Sequence, residues 1–84
     1  MASIYSDEYQ RVIKALREAR VAKGITQESL AQALDRPQSF IAKVENGERR
    51  LDIVEFIHLS RLLSLDPISI INKIPTKHKP LNAK

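Results

Sequence analysis

The chain has 84 residues, of which 43% are hydrophobic, and a formal net charge of +4, which predicts one small domain with a modest hydrophobic core. It has no cysteine, which excludes disulfides and thiolate metal sites. No apolar run approaches the roughly 20 residues that a membrane span needs, and residues 1–5 show no signal-peptide pattern. Residues 1–72 hold ten basic and ten acidic side chains, so the net positive charge comes from the last twelve residues. The overall charge is therefore weak support for nucleic-acid binding by the folded part.

Two amphipathic helices are predicted in the first part of the chain. The first spans about residues 7–22, with Ser6 as its N-cap and Gly24 as its stop. Its apolar positions at near-helical spacing are Val12, Ile13, Leu16, Ala19 and Val21. The second spans about residues 26–34, with Thr26 as its N-cap. Its apolar face consists of Leu30, Ala31 and Leu34.

A third helix is predicted over about residues 38–46, after Pro37 and before Gly47, which can adopt a positive φ. Its core side consists of Phe40, Ile41 and Val44. The opposite side carries Gln38, Ser39, Ala42 and Lys43. The second and third helices are short and amphipathic, are joined by a tight turn, and are followed by a polar, basic loop. This pattern is typical of a helix-turn-helix, here over about residues 26–46. Such a motif places one exposed helix in the major groove of DNA.

Two more helices follow. Asp52 and Glu55 form a variant of the capping box at the start of a fourth helix, which runs to about Leu63. Its core side consists of Ile53, Phe56, Ile57, Leu59 and Leu63. Asp66 and Pro67 open a short fifth helix. Its apolar residues are Ile68, Ile70, Ile71 and Ile74.

One domain and one tail are therefore predicted. With no strand pattern, the fold class is all-α, a compact five-helix bundle with a helix-turn-helix over residues 1–74. Residues 75–84 are rich in lysine and are predicted to be a flexible basic tail. We favour a solvated end for this tail, with non-specific attraction to phosphates as the alternative.

A set of residues at matching spacing carries a family resemblance: Arg20, Gly24, Ile25, Thr26, Gln27, Leu30, Ala31, Ile41, Glu45, Asn46 and Gly47. Together they resemble the Cro/C1-type helix-turn-helix, the XRE family of bacterial and phage regulators, over about residues 10–66. The resemblance implies a lambda repressor-like DNA-binding domain. Family members usually have glycine in the turn where this chain has Asp35. Aspartate can adopt the left-handed conformation, so we expect the turn to be kept, although an acid near the DNA disfavours binding.

The resemblance also implies which residues hold the DNA backbone. Gln27, at the start of the second helix, matches the residue that reaches a phosphate, where a helix N-terminus favours an anion. A second stretch of the DNA backbone is expected to be contacted by Asn46, Arg49 and Arg50. Arg36 is a further candidate for a phosphate contact.

Base recognition is assigned to the outward side of the third helix. Gln38 and Ser39 match the base-contacting positions of the family, and glutamine can pair with adenine through two hydrogen bonds. Lys43 can reach guanine or a phosphate, and Ala42 can contact a thymine methyl group. The alternative is an ordinary solvated face. Because so few side chains distinguish bases, we expect a dimer on a roughly palindromic site.

Other prominent residues have structural interpretations that we prefer. The resemblance implies an ion pair between Arg20 and Glu45, which we favour over a phosphate contact by Arg20. Phe40 is expected at the edge of the core rather than stacked on a base. His58 and His78 are isolated, so no metal site is predicted. Ser39 and Ser60 have no histidine or acid placed to activate them as nucleophiles.

The fourth and fifth helices carry more apolar residues than one small core needs. The candidates for a dimer interface are Val54, Leu62, Ile68 and Ile71. The alternative is that the fifth helix only covers the first and fourth helices.

The leading hypothesis is a sequence-specific DNA-binding transcriptional regulator, a small homodimeric repressor of double-stranded DNA operators. The alternative is an antitoxin-like or other protein-interaction module, in which the apolar surface of the last two helices binds a protein partner and DNA binding is secondary. Neither hypothesis needs a cofactor or an enzymatic activity. We expect a bacterial or phage-encoded protein of the cytoplasm, associated with the nucleoid.

Overall fold

Five α-helices and no strand form the part of the chain that the structure, a computed structural model, describes: residues 6–75 and 78–81. The helices are α1 (Asp7–Ala22), α2 (Gln27–Ala33), α3 (Gln38–Glu45), α4 (Ile53–Leu62) and α5 (Pro67–Ile71). The all-α prediction is confirmed. The expectations for residues 1–5 and for part of the basic tail lie outside the described residues.

Side-chain caps begin four of the five helices. Ser6 Oγ accepts from Tyr9 N–H at 3.2 Å, and Thr26 Oγ1 accepts from Ser29 N–H at 3.0 Å. The predicted capping box of α4 is complete, with Glu55 N–H donating to Asp52 Oδ1 at 2.7 Å and Asp52 N–H donating to Glu55 Oε1 at 3.0 Å. Asp66 caps α5, and α3 follows Pro37 without a side-chain cap. Local sequence therefore fixes the helix starts.

The ends of α1 to α4 share one conformation. In each, the residue after the C-cap has a positive φ: 69° at Gly24, 58° at Asp35, 77° at Gly47 and 57° at Ser64. At the end of α2, Arg36 N–H donates to Ala31 O at 2.9 Å, which is the long hydrogen bond of a Schellman motif. The expectation that Asp35 adopts the left-handed conformation is confirmed. The same conformation at Ser64 was not predicted.

All five helices contribute residues to the core; α1 and α2 pack on α3, and α5 packs on α1 and α4. The buried apolar residues of the core are Ile13, Leu16, Leu30, Ala31, Phe40, Ile41, Val44, Phe56, Leu59, Leu63 and Ile70. None of the described helices is long and apolar enough to cross a membrane.

Two positions assigned to apolar helix faces are exposed instead. The prediction that Ile53 belongs to the core is wrong, because this first residue of α4 lies at the rim between two surface grooves and is 63% exposed. Val21 is exposed near the end of α1. Conversely, Ser60 is fully buried on α4, where its hydroxyl donates to Phe56 O at 2.8 Å. This internal hydrogen bond is what permits a polar side chain in the core.

Candidate nucleic-acid interface

Helix α3 has one buried side and one open side. Phe40, Ile41 and Val44 are buried. The open side carries the four residues predicted to contact bases: Gln38, Ser39 and Lys43, which are exposed, and Ala42, which is half-buried. Since the buried side fixes the rotation of the helix about its axis, the open side presents these four residues together to the solvent.

A buried ion pair ties the end of α3 to α1. Arg20 Nε donates to Glu45 Oε2 at 2.6 Å, and Nη2 donates to Oε1 at 3.0 Å. The side chains are only 12% and 8% exposed. The third guanidinium nitrogen of Arg20, Nη1, donates to Ile25 O at 2.7 Å and so holds the loop before α2. The ion pair implied by the resemblance is present, and its two-point geometry defines the position of α3.

Gln27 belongs to the same network. Its Nε2 donates to Glu45 Oε1 at 2.9 Å, which joins the first residue of α2 to the last residue of α3. An amide group has a second N–H and a carbonyl oxygen, so this bond leaves Gln27 able to contact a phosphate while its side chain is held in place. Arg17 approaches Glu45 Oε1 at 3.9 Å from the exposed side.

Two of the predicted phosphate ligands form a cluster around Phe40. Arg36 Nη2 donates to Glu55 Oε2 at 2.6 Å. Arg49 donates twice to the same carboxylate, from Nη1 to Oε1 at 3.0 Å and from Nη2 to Oε2 at 3.1 Å. The guanidinium carbons of Arg36 and Arg49 lie 4.3 and 4.7 Å from the centroid of the Phe40 ring, within cation–π range. Phe40 therefore packs at the edge of the core under two cations.

Glu55 is the anion of this cluster. Burial raises the pKa of its carboxyl, but the hydrogen bonds from Asp52 N–H and Arg49 and the charge of Arg49 outweigh that effect and bring the pKa below its ordinary value. The carboxylate thus stays ionised at neutral pH between the two guanidinium groups.

The loop after α3 is anchored to α1. Leu51 N–H donates to Tyr9 Oη at 3.0 Å, and Tyr9 Oη lies 3.5 Å from Arg49 O. The guanidinium carbon of Arg50 lies 5.3 Å from the centroid of the Tyr9 ring. Asn46 Nδ2 donates to Glu48 Oε2 at 3.4 Å. Tyr9, whose role the sequence did not indicate, therefore anchors the part of the loop that carries Arg49 and Arg50.

The four predicted dimer residues are all exposed: Val54 by 54%, Leu62 by 41%, Ile68 by 65% and Ile71 by 44%. Ile68 and Ile71 line a groove between α4 and α5 that also includes Ile53 and Ile57. Leu62 lies in a neighbouring depression beside Leu34 and the exposed His58. Within residues 6–75 and 78–81, no three His, Asp or Glu side chains come together in a way that could hold a metal ion.

Comparison with known proteins agrees with this geometry. A family model described as helix-turn-helix matches residues 16–69, more than half of the chain. A solved structure of an XRE-family like protein from Pseudomonas syringae pv. tomato str. DC3000 superposes with a TM-score of 0.75. The two sequences are 49% identical over 80% of this chain and 82% of that one. No protein with a curated description matches.

The fold and the exposed side of α3 define a helix-turn-helix protein. More specifically, the chain belongs to the Cro/C1-type helix-turn-helix family, the XRE family, whose members are DNA-binding transcription regulators.

Proposed function

We propose that this protein is a homodimeric repressor that recognises a specific operator with helix α3 in the major groove. The observation that supports this most is the division of α3 into a buried apolar side and an open side with Gln38, Ser39, Ala42 and Lys43. An exposed helix with polar, short and cationic side chains matches what base edges in the major groove accept.

In this proposal, contacts to the backbone and contacts to bases come from different elements. Gln27 at the start of α2 holds one stretch of phosphates. Asn46 and Arg50 hold a second stretch, with Arg36 and Arg49 beside them. Gln38 and Ser39 distinguish bases, and Lys43 contacts a guanine or a phosphate.

The proposed dimer uses the apolar surface of α4 and α5. Single exposed apolar residues are common, but Ile53, Ile68 and Ile71 share one groove. Arg61 and Asp66 line the same groove, so a two-fold interface offers charge pairing at its edge as well as apolar contact.

Selection from a random DNA library tests this function. We expect an enriched, roughly palindromic sequence with half-site centres about 34–36 Å apart, one turn of DNA. Binding to the selected site should weaken steeply between about 50 and 200 mM salt, because phosphate contacts release counterions. Failure to enrich any sequence, or a flat salt response, would contradict the proposal.

The dimer is tested separately by light scattering after chromatography. Ile68→Asp should shift the protein toward the monomer, because it introduces a charge into the apolar interface. Val21→Asp is the matched control, since Val21 is also an exposed apolar residue but lies on α1. Equal effects of the two substitutions would exclude this surface as the interface.

The apolar groove also supports a second candidate function, an antitoxin-like module in which α4 and α5 bind a heterologous protein. In that case a fixed partner co-purifies with the wild-type protein and is lost with Ile68→Asp, while DNA selection enriches nothing. A partner-free protein that enriches an operator excludes it.

A further inference from the structure

Glu55 connects the two segments that flank the proposed recognition helix. Arg36 lies in the turn before α3, and Arg49 lies in the loop after it. Both donate to Oε2 of Glu55, at 2.6 and 3.1 Å, although Arg36 and Glu55 are 19 residues apart in the chain. One carboxylate on α4 therefore fixes where both arginines lie relative to Phe40 on α3.

The cluster leaves both guanidinium groups able to bind an anion. Their side chains are 41% and 38% exposed, whereas that of Glu55 is 15% exposed. A guanidinium has five N–H donors. Arg36 uses one nitrogen on Glu55, and Arg49 uses Nη1 and Nη2 on Glu55 and Nη1 also on Arg50 O at 2.6 Å. Each of these partly exposed groups thus keeps N–H donors that Glu55 does not use and that a phosphate can accept from.

We propose that Glu55 is a positioning residue for DNA binding, which holds Arg36 and Arg49 in place so that each contacts a backbone phosphate beside α3. This inference rests on the proposed function. An arginine that is already held by a carboxylate and packed on a ring loses little side-chain freedom when it binds a phosphate. The two arginines outweigh the one acid, so the cluster keeps a net positive charge.

The capping role of Glu55 is separable from this positioning role. In the capping box, Glu55 Oε1 accepts from Asp52 N–H at 3.0 Å, and a glutamine carbonyl can accept the same bond. Glu55→Gln therefore keeps the start of α4 but removes the charge that pairs with both arginines. Glu28→Gln is the matched control, because Glu28 is also an acid in the first turn of a helix, exposed on α2.

The test measures Kd for the selected operator across a salt series. Glu55→Gln should weaken binding by about ten-fold, because the two released arginines would have to be ordered again and lose most of their phosphate contacts. It should also reduce the slope of log K against log salt by about 1 to 2, because each lost phosphate contact removes roughly one counterion. Glu28→Gln removes an acid without releasing an arginine, so it should leave both quantities unchanged or slightly raised.

A double-mutant cycle shows whether Glu55 acts through the arginines. In an Arg36→Gln, Arg49→Gln background, Glu55→Gln should change Kd by less than about two-fold, because nothing remains to be positioned. If Glu55→Gln has a Tm well below that of the wild type, its binding defect could come from unfolding, and Arg49→Lys is used as the test variant instead. It keeps the charge but loses the forked hydrogen bonds to Glu55, and because only one of the two arginines is released it should show a smaller loss of affinity and a smaller drop in slope.

The proposal is overturned if Glu55→Gln, or Arg49→Lys in its place, binds the operator at least as tightly as the wild type. It is also overturned if binding weakens with an unchanged salt slope, or if the effect persists in the double-arginine background. These outcomes differ from failure of the proposed function, in which the wild type and Glu28→Gln enrich no operator at all.

Discussion

At the scale of single residues, Glu45 organises more of the site than any base-contacting candidate. It accepts from Arg20 and Gln27, and so joins α1, the loop before α2, and the two helices of the motif. Removal of one partner of a buried pair leaves the other charge without compensation.

Glu45→Gln should therefore lower the free energy of unfolding by about 3 kcal/mol. Glu18→Gln is the control, since Glu18 pairs with Lys14 at 4.0 Å on the exposed side of α1. That pair should contribute only about 0.3 kcal/mol. Urea unfolding of both variants measures the difference, and equal losses would mean that the Arg20–Glu45 pair does not hold the fold together.

Glu55 also predicts a dependence of stability on pH. Its pKa is lowered in the folded protein, so its ionised form stabilises the fold above the ordinary carboxyl pKa, and this contribution is lost as the pH falls through the lowered value. The difference in unfolding free energy between wild type and Glu55→Gln should be constant above about pH 5 and shrink below it. A difference that grows toward acid pH would show the opposite shift.

At the scale of helices, the sequence predicts starts and ends because caps act locally. Ser6, Thr26, Asp52 and Asp66 each bond to a backbone N–H within three residues, and a residue-by-residue reading finds them. Asp35 is expected to be left-handed because it stands where the family usually has glycine, but Ser64 is harder to recognise, because serine is not marked for positive φ in the way that glycine is.

Ser64→Gly should stabilise the protein, because glycine adopts the positive φ of this exposed position at the end of α4 without the steric strain of a Cβ atom. We expect a gain of about 1 kcal/mol, which corresponds to roughly 4–8 °C in Tm for a domain of this size. Ser64→Ala keeps the unfavourable φ and is the control. A calorimetric Tm for Ser64→Gly at or below that of Ser64→Ala would contradict the strain at this position.

At the scale of the whole molecule, the fold follows from sequence more completely than the site does. The apolar spacing of α3 predicts its buried and open sides, because both lie within one helix. Tyr9 contacts Leu51 across 42 residues, and Glu55 contacts Arg36 across 19. No local pattern carries such contacts, so the sequence assigned Glu55 only its capping role. Ile53 fits the apolar spacing of α4, but only the packed structure shows that it lies beyond the edge of the core.

In the proposed function, α3 contacts bases while the loop after it holds the DNA backbone. Library selection with Gln38→Ala and Arg50→Ala tests it most directly. Gln38→Ala should relax base preference at one position in each half-site, by about 1–3 kcal/mol. Arg50→Ala should weaken all sequences alike and lower the salt slope by about 1. If both variants changed preference at the same positions, or if neither changed it, α3 would not be the helix that recognises the operator.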